Sequence, residues 1–400
     1  MGSLSDHYGS DCLRLGLTFK IFSSVNELPE EWDKLPTNDI FLSTTFLSAL
    51  EKATPSNIKT YFVGIFSAER LIGISIIQHV KLFSKDVFRR KSDSTIKEIG
   101  KRIVSFFLKG NALVVGNLMH TGQHAFWFDQ GAASQRLIIQ TIFKATEALS
   151  EKIKSQFKNK VSIIALKDFF EDDLIHSDKS LFNRHAFFKA KVQPNMIFKV
   201  RDNWSTTNDY VSSFNKKYRR RYRTAIKKKT PIKVKELDLQ ALQDLNTRVY
   251  ELYENVSDNA GVNSFKLHKN HFVDLKRSLG NRFHLFGYFI DSKLVGFFTI
   301  ILNGQKLETY FLGYDPTLQH RHQMYLNMLF DMVDFGIMNN YKQIVFARTA
   351  MEIKSSIGAK PFDMSIYLKH TNTFLLNGIL RNVVKFMNPV RDWQQRHPFD

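Results

Sequence analysis

The chain has 400 residues, of which 43% are hydrophobic, and 57 lysines and arginines against 38 acidic residues give a formal net charge of +19. This composition is typical of a well-packed globular protein and excludes a disordered or fibrous one, and the length predicts about two domains. The single cysteine, Cys12, excludes an intramolecular disulfide framework and a cysteine-based zinc site, and it favours a reducing compartment.

The start of the chain and its apolar runs predict neither export nor a membrane crossing. The start, MGSLSDHYGSD, lacks the basic flank and apolar core of a secretory signal, and Asp6 departs from the myristoylation pattern. The longest largely apolar run, LVGFFTIIL at 294–302, has nine residues, whereas a membrane-spanning helix needs about twenty. We therefore expect a cytoplasmic protein that crosses no bilayer.

An internal repeat relates the two halves. Residues 61–78 and 284–301 align without a gap at an offset of 223 residues, which places Gly73 on Gly296, and each segment predicts an antiparallel hairpin. A strand, a long helix and a further strand then follow, at 124–128, 134–153 and 161–166 in the first half and at 307–314, 322–338 and 343–348 in the second. We interpret this order as one duplicated unit; the alternative is two buried hairpins that are alike by chance.

The second half gives the clearer order of elements, β-α-α-β-β-β-α-β-α-β. They are a strand at 232–238, helices at 239–260 and 267–280, a hairpin at 283–303, a strand at 306–314, a helix at 322–338, a strand at 343–349, a short helix at 350–357 and a strand at 362–369. Such an order predicts an α/β (α+β) fold with a mixed central sheet flanked by helices.

Four stretches carry a resemblance to a known family. They are KYRRRYRTAIKKK at 217–229, YFLGYDP at 310–316, YLNMLFDMVDFGI at 325–337 and FARTAMEIKSSIGAKP at 346–361. With the doubled element order, they resemble the tandem branch of the GNAT acyltransferase superfamily. That branch contains the Fem-type aminoacyltransferases of peptidoglycan synthesis and bacterial lipid N-acyltransferases similar to bacterial ceramide synthases.

The resemblance, which runs from about residue 17 to 370, implies two GNAT-like domains in tandem. We expect them at 17–205 and 231–370, joined by a basic connecting helix at 206–230 and followed by a C-terminal amphipathic helix and tail at 371–400. Tyr325 and Asn327, in the third of the resembling stretches, are candidates for substrate binding.

Acyl transfer from a thioester to an amine requires a polarised carbonyl, a docked phosphate-bearing arm and an amine that has lost its proton. The resemblance implies that backbone N–H groups polarise the carbonyl where two central strands diverge, near 310–315. It also implies that the next helix start, near 319–322, binds phosphate. No tightly bound cofactor is implied, and acyl-CoA or an acyl carrier protein (acyl-ACP) would be the co-substrate.

The glycine-rich phosphate loop of the superfamily is missing from DPTLQHRHQMY at 315–325. The corresponding loop of the first half, DQGAASQ at 129–135, has small residues that let a phosphate approach the backbone. We therefore name Gly131, Ala132 and Ser134 as candidate donor-binding residues, although small residues here are also typical of ordinary helix entry.

Several side chains are candidates for moving the proton. Glu308 and Asp315, around the central strand, are candidate catalytic residues. His320 and His322, at the helix start, can accept a proton or contact the donor, but QHRHQ is equally typical of an exposed polar cap. Tyr310, on the same strand face as Glu308, can protonate the leaving thiolate or serve as a core residue.

The densest polar stretch between core elements is FARTAMEIKSSIGAKP at 346–361. Arg348 and Thr349 follow a strand and Glu352 and Lys354 lie on the next short helix, so polar groups converge near a strand end. We expect Arg348, Glu352 and Lys354 to be catalytic and Thr349 to contact substrate, because Arg348 suits a phosphate or carboxylate. The alternative is a buried structural pair between Glu352 and Arg348.

The most basic stretch, NKKYRRRYRTAIKKKT at 215–230, has nine lysines and arginines in sixteen positions. As a helix that starts near 209, it carries an apolar stripe that can dock on a core while the cations point away. We expect Arg219, Arg220 and Arg223 to bind an anionic substrate. A solvated face without a partner is the alternative.

Two further segments, 81–110 and 373–390, mix apolar and basic residues in the way that suits the plane of an anionic membrane. Each basic residue near such a surface contributes on the order of 1 kcal/mol. The alternative for each is an ordinary helix packed on its domain. With the basic helix, they favour a peripheral enzyme on the cytoplasmic membrane.

Three functions follow in order of preference. The first is N-acylation of a sphingoid-like or other amino-lipid base from acyl-CoA or acyl-ACP. The second is a Fem-like transfer from aminoacyl-tRNA to a peptidoglycan precursor. The third is nucleic-acid binding, which a pI near 9.7 permits, but no nucleic-acid module is visible and we expect no DNA partner. Metal chemistry and a serine hydrolase are not indicated, because no histidine or cysteine cluster has ligand spacing and no G-x-S-x-G elbow is present.

Overall fold

The computed structural model describes residues 16–82, 110–158, 160–259, 265–387 and 392–399. The basic segment 81–110, where we expect a membrane-binding stretch, lies almost entirely outside the described residues. The described residues form one continuous mixed sheet with helices packed on both of its faces. The predicted α/β fold with a mixed central sheet is confirmed.

The first unit, residues 17–199, consists of seven described strands and three described helices. The strands are β1 (Leu17–Phe22), β2 (Ile58–Ser67), β3 (Arg70–Leu82), β4 (Gly110–Val115), β5 (Phe126–Phe128), β6 (Val161–Phe170) and β7 (Phe188–Lys199). The helices are α1 (Thr44–Lys52), α2 (Gln135–Phe157) and α3 (Lys179–Arg184). Serine starts the two longer helices, because the Ser43 and Ser134 side chains each accept a hydrogen bond from a backbone N–H of the first turn.

Two connecting helices, α4 (Thr207–Ser212) and α5 (Lys216–Lys229), lead into the second unit, residues 233–370. Its strands are β8 (Lys233–Glu236), β9 (Phe283–Ile290), β10 (Lys293–Asn303), β11 (Lys306–Tyr314), β12 (Gln343–Val345) and β13 (Lys360–His370). Its helices are α6 (Leu239–Asp244), α7 (Asn246–Asp258), α8 (His271–Leu279), α9 (Gln319–His322), α10 (Met324–Met338) and α11 (Met351–Ser355). A last helix, α12 (Phe374–Met387), follows the unit.

The predicted single helix at 239–260 is two helices. Leu245 breaks it, since its backbone sits at φ −94°, ψ 2°, outside the helical region. Leu242 before the break and Val249 after it are both fully buried in the same core. The break turns α7 so that both helices bury their apolar stripes.

The strands follow the order β1-β2-β3-β4-β6-β13-β7-β12-β11-β10-β9-β8, with β5 beside β3. The last strand of each unit is exchanged: β13 of the second unit pairs with β6 of the first, and β7 of the first unit pairs with β12 of the second. β7 and β13 also pair with each other, antiparallel, at the centre of the sheet. The predicted bounds 17–205 and 231–370 therefore each contain one strand that lies in the other unit's half of the sheet, and these bounds stay a prediction.

The three largest hydrophobic cores lie on the two faces of the sheet. One is shared by the units and brings Trp32, Phe41 and Phe46 of the first together with Phe272 and Phe297 of the second. The opposite face carries one core under α2 and another under α5 and α10. Among the described helices, none combines the length and the apolar character that a membrane crossing requires.

The internal repeat is interrupted between β4 and β5. Residues 296–303 of β10 keep β11 as their partner strand. The corresponding strand, β3, pairs with β4 through residues 77–82 and with β5 through 73–75. Between β4 and β5 the chain leaves the sheet at 116–125, which we call the inserted loop. The predicted strand at 124–128 therefore shortens to β5.

Candidate functional site

A cleft of about 500 Å³ opens where the two units meet. Its floor contains Glu308 of β11, Val345 of β12 and Ile197 of β7, and its walls include residues 122–124 of the inserted loop and 172–174 after β6. Because β7 comes from the first unit and β11 and β12 from the second, the strand exchange itself builds the floor.

Parallel strands diverge at this floor. The ladder between β11 and β12 ends at Glu308 and Val345, although β11 continues to Tyr314. In the first unit, the ladder between β4 and β6 ends at Val115 and Leu166, where the inserted loop begins. Since β12 ends at Val345, β11 beyond Glu308 has no strand partner on that side, whereas the inserted loop follows β4 at the equivalent place in the first unit.

Glu308 lies at the end of that ladder and is 5% exposed. Burial raises the pKa of its carboxyl to about 7, although His124 and Lys306 partly oppose the shift. A carboxyl that titrates near neutral pH can accept and return a proton during a reaction.

His124, in the inserted loop, forms a dyad with Asp39. Its Nδ1 lies 2.7 Å from Oδ2 of Asp39. Asn303 of the second unit fixes this carboxylate by donating from Nδ2 to Oδ1 at 3.3 Å, and it accepts the N–H of Ile40 at 2.9 Å. Burial alone would lower the pKa of His124, but the Asp39 carboxylate outweighs it and the pKa is raised. The His124 imidazole therefore holds a proton more readily than a free histidine, and the Asp39 carboxylate balances that charge.

A buried carboxylate, Asp168, ties the inserted loop to the second unit. Asp168 is fully buried at the end of β6 and pairs with both Lys167 and Arg348. It accepts the N–H of Gly122 at 3.2 Å, and Lys167 donates to the carbonyl oxygen of His120 at 2.7 Å. Although burial opposes it, the two cations lower the pKa of Asp168. Arg348 is thus a link across the unit boundary.

The segment that presents Arg348 is held by Lys354. This buried ammonium donates to the carbonyl oxygens of residues 346–348. Burial lowers the pKa of Lys354 to about 7. Ala347, Thr349 and Ala350 all have positive φ, at 58°, 71° and 47°, and non-glycine residues hold this conformation only where surrounding contacts enforce it. The three hydrogen bonds from Lys354 enforce this backbone conformation. Thr349, the predicted substrate contact, is exposed beside Arg348.

Glu352 lies elsewhere. It accepts hydrogen bonds from the backbone N–H of Gln394 at 3.2 Å and from Arg396 at 3.4 Å, and so anchors the C-terminal tail. The alternative of a Glu352–Arg348 pair is wrong, because Arg348 pairs with Asp168.

Two other candidates on β11 and beyond it also lie away from the cleft lining. The hydroxyl of Tyr310 is 3.0 Å from Nε2 of His271, in the core shared by the units. Asp315 caps a short turn by accepting the N–H of Thr317 at 3.0 Å.

The basic helix α5 packs on the core through an apolar stripe, as predicted, but it begins at Lys216 and not near 209, because α4 ends at Ser212 and Asn215 caps a new helix. Tyr218 and Ala225 are buried against the core under α10. Arg219 donates to two backbone carbonyl oxygens at the end of α4, at 2.8 and 2.7 Å. Arg220 and Arg223 are exposed, and no acidic partner for them is found in the described part of the chain. One side of α5 is fixed and the other offers positive charge.

The start of α10 is fastened to α5. Asn327 is fully buried and its amide donates to a carbonyl oxygen of α5 at 3.0 Å and to that of His322 at 2.8 Å. His322 is buried with Nδ1 2.9 Å from the carbonyl oxygen of Lys228, while His320 is exposed. Tyr325 is half-buried, and burial raises its pKa.

In the loop with Gly131, Ala132 and Ser134, backbone N–H groups donate hydrogen bonds to Asp129 of the same loop. The N–H of Gly131 donates to Oδ1 of Asp129 at 2.9 Å, and that of Ala132 to the Asp129 carbonyl oxygen at 3.0 Å. Ser134 caps α2. Negative charge at this helix start disfavours a second anion there.

Of the predicted catalytic residues, Glu308 lines the cleft. Arg348 contacts the inserted loop through Asp168, and Lys354 holds the backbone at Arg348. Sequence reasoning missed His124, Asp39 and Asp168, which join them. One signal was present: relative to the repeat, the first unit has extra residues at 116–125, and two histidines fall among them. In the described ranges, no group of three or more acidic, histidine or cysteine side chains is arranged to hold a metal ion.

Residues 212–355 match the family described as acetyltransferase (GNAT) domain. The solved structure of FemX overlays with a TM-score of 0.52 at 10% identity, covering 86% of this chain and 95% of FemX. A tandem GNAT protein from the clavulanic acid biosynthesis pathway gives a TM-score of 0.49 at 7% identity, covering 88% of this chain and 98% of its own. No curated protein sequence matches. The GNAT match at 212–355 and the fold shared with FemX agree with the predicted tandem GNAT-superfamily resemblance, and the GNAT domain supports an acyl-transferring enzyme.

The buried carboxyl of Glu308 predicts a pH-dependent difference in stability. In the unfolded chain the group ionises near 4.5, whereas in the folded chain it keeps its proton up to about 7. Relative to Glu308→Gln, the free energy of unfolding of the wild type should therefore fall as pH rises between these values, by on the order of 3 kcal/mol in all. Urea unfolding from pH 4 to 8 measures it. Glu151→Gln, at an exposed site, should show the same pH dependence of the unfolding free energy as the wild type. The same pH dependence in Glu308→Gln and the wild type would contradict the account.

Proposed function

We propose that this chain, which carries a GNAT domain within a tandem GNAT-type fold, transfers an acyl group from a thioester to an amine bound in the cleft between its units. One observation carries the proposal. Glu308, whose pKa burial raises to about 7, lies in that cleft at the end of the β11–β12 ladder, where a thioester carbonyl can reach the free backbone edge of β11.

The transfer needs one proton acceptor. The Glu308 carboxylate takes the proton of the bound ammonium, the free amine attacks the thioester carbonyl, and the new C–N bond replaces the C–S bond. Glu308 passes this first proton to solvent and accepts a second one from the nitrogen as the C–N bond forms. The departing thiolate takes that second proton, so that an amide and a thiol leave and one proton is released in all. Asp39 raises the pKa of His124, and a proton on His124 favours the carboxylate form of Glu308 that the first step needs.

The second unit is the better place for the donor. The exposed cations Arg220, Arg223 and Lys227 on α5 lie on the helix that packs against the start of α10, and they suit the phosphates of acyl-CoA or of the acyl-ACP arm. The corresponding helix start in the first unit faces Asp129 and Asp173. We therefore place neither Gly131, Ala132 nor Ser134 at the donor.

The cleft suits a cationic acceptor. Asp172, Asp173 and Glu308 all line it, with Lys306 as the opposing cation. Carboxylates concentrate ammonium ions by charge attraction and strengthen their binding by charge-assisted hydrogen bonds. We take the acceptor to be an amino-lipid with a sphingoid-like base.

The lipid assignment rests on α12. Phe374 is 91% exposed and Leu375 72% exposed at its start, and Arg381 and Lys385 follow on the same helix. Large exposed apolar side chains beside cations are typical of contact with an anionic membrane surface. We propose that α12 brings the enzyme to the cytoplasmic membrane surface, where an amino-lipid is presented.

A Fem-like transfer from aminoacyl-tRNA to a peptidoglycan precursor is the second candidate. The overlay with FemX and the exposed cations of α5, which suit RNA phosphates equally well, favour it. The donor separates the two candidates, because an acyl thioester has no RNA.

Transfer assays with purified protein should give an N-acyl amide from long-chain acyl-CoA or acyl-ACP and a sphingoid base. Mass spectrometry detects the product. The kcat/KM should rise with pH and level off above about 7, because the Glu308 carboxylate is the active form. Glu308→Gln should lower kcat by at least about 100-fold, while Glu151→Gln keeps wild-type activity.

The parallel assay uses aminoacyl-tRNA with a lipid-linked muropeptide. If product forms in that assay alone, the thioester-dependent function is wrong and the Fem-like transfer is the function. A thioester reaction whose rate is unchanged in Glu308→Gln would remove Glu308 from the chemistry.

Membrane contact is tested by co-sedimentation with vesicles of phosphatidylglycerol and phosphatidylcholine. Phe374→Ser combined with Leu375→Ser should weaken binding at least about tenfold, because both apolar side chains lose their burial in the lipid. Met338→Ser, which removes an exposed apolar side chain (57% exposed) at the end of α10, away from α12, is the control. Equal binding by the double variant and the wild type would exclude α12 as the contact.

A further inference from the structure

Besides Glu308 on β11, a second polar side chain faces the cleft from β7, which is separated from β11 by β12. Asn195 of β7 is 1% exposed and lines the cleft, and its side-chain oxygen has no hydrogen-bond partner among the described residues. Leaving such a buried acceptor unpaired destabilises the folded chain. Buried polar atoms in folded proteins are almost always paired, so the unpaired carboxamide indicates a ligand group that completes it.

A β-bulge sets the direction of Asn195. Along β13, Met364 faces Val192 and Phe362 faces Asn195, so β7 contains one extra residue between these pairs. Pro194, within the bulge, has no N–H to leave unpaired. Bulges of this kind re-aim side chains next to active sites. The strand is thus locally irregular at the residue that presents the unpaired oxygen.

The register fixes the distance to Glu308. Glu308, Val345 and Ile197 form one row across β11, β12 and β7. Asn195 lies two residues from Ile197 on the same face of β7, so strand spacing and rise place its Cα roughly 12 Å from that of Glu308. Both side chains extend into the cleft, and each hydrogen bond to a ligand spans about 2.9 Å. An amine and a hydroxyl on neighbouring carbon atoms can pair with both groups where the two side chains lean toward each other within the cleft.

We propose that Asn195 is a specificity-determining residue that accepts a hydrogen bond from a hydroxyl next to the reacting amine, so that the acceptor is an amino alcohol. The proposal rests on amine acylation at Glu308. A neutral, buried carboxamide oxygen suits a hydroxyl donor, whereas a second ammonium ion in the same place would be left without a counter-charge.

Two long-chain acceptors of equal length test this: a 2-amino-1-alkanol and the matched 2-aminoalkane without the hydroxyl. The wild type should prefer the amino alcohol at least about tenfold in kcat/KM, because a site built to pair a hydroxyl rejects the analogue that lacks it. Asn195→Leu should lose this preference, so that the ratio of its kcat/KM values for the amino alcohol and the aminoalkane falls to about one. Asn195→Asp, which keeps an oxygen acceptor, should retain the preference.

The outcomes separate the two proposals. Equal use of both amines by the wild type would overturn the role of Asn195 and leave amine acylation standing. A hydroxyl preference that persists in Asn195→Leu would overturn it as well. Transfer to neither amine would contradict both proposals. Thermal unfolding shows whether Asn195→Leu folds; if it does not, the wild-type comparison of the two amines and the Asn195→Asp variant still decide.

Discussion

The exchange of β7 and β13 between the units is the constraint on which the rest of the structure depends. Each exchanged strand hydrogen-bonds to the other unit, so the two half-sheets become one. The exchange places Ile197 and Asn195 of the first unit beside Val345 of the second. A cleft with walls from both units follows directly, and neither unit alone would contain it.

Buried charges give that cleft its chemistry. Asp168 is balanced by Lys167 and Arg348, a set of contacts that fixes the inserted loop against the second unit. The loop in turn carries His124 toward Glu308. Breaking a buried ion pair by removing one partner typically costs about 3–5 kcal/mol, so these contacts couple the fold of the loop to the geometry of the reacting groups. Stability and activity are therefore linked in this region.

Local sequence patterns predicted much of the fold and part of the site. The repeat, the strands and the docking stripe of α5 follow from apolar periodicity. Glu308 follows from its place on the central strand that the family resemblance marks, and Arg348 follows from the polar residues that converge near a strand end. Strand exchange leaves no local trace, since a strand has the same pattern beside either neighbour. The partners of the site are also remote in sequence: His124 meets Asp39 85 residues away, and Arg348 meets Asp168 180 residues away. Such pairings depend on topology, which periodicity does not encode.

The central claim is that acyl transfer takes place in the cleft between the units, at Glu308. A crystal structure with a stable bisubstrate analogue, in which a long-chain amine is joined to the pantetheine sulfur through an acyl linker, tests it most directly. The account predicts the amine nitrogen within about 3 Å of the Glu308 carboxylate and the pantetheine arm between the diverging ends of β11 and β12. An analogue bound between β4 and β6, with its nitrogen away from Glu308, would contradict it.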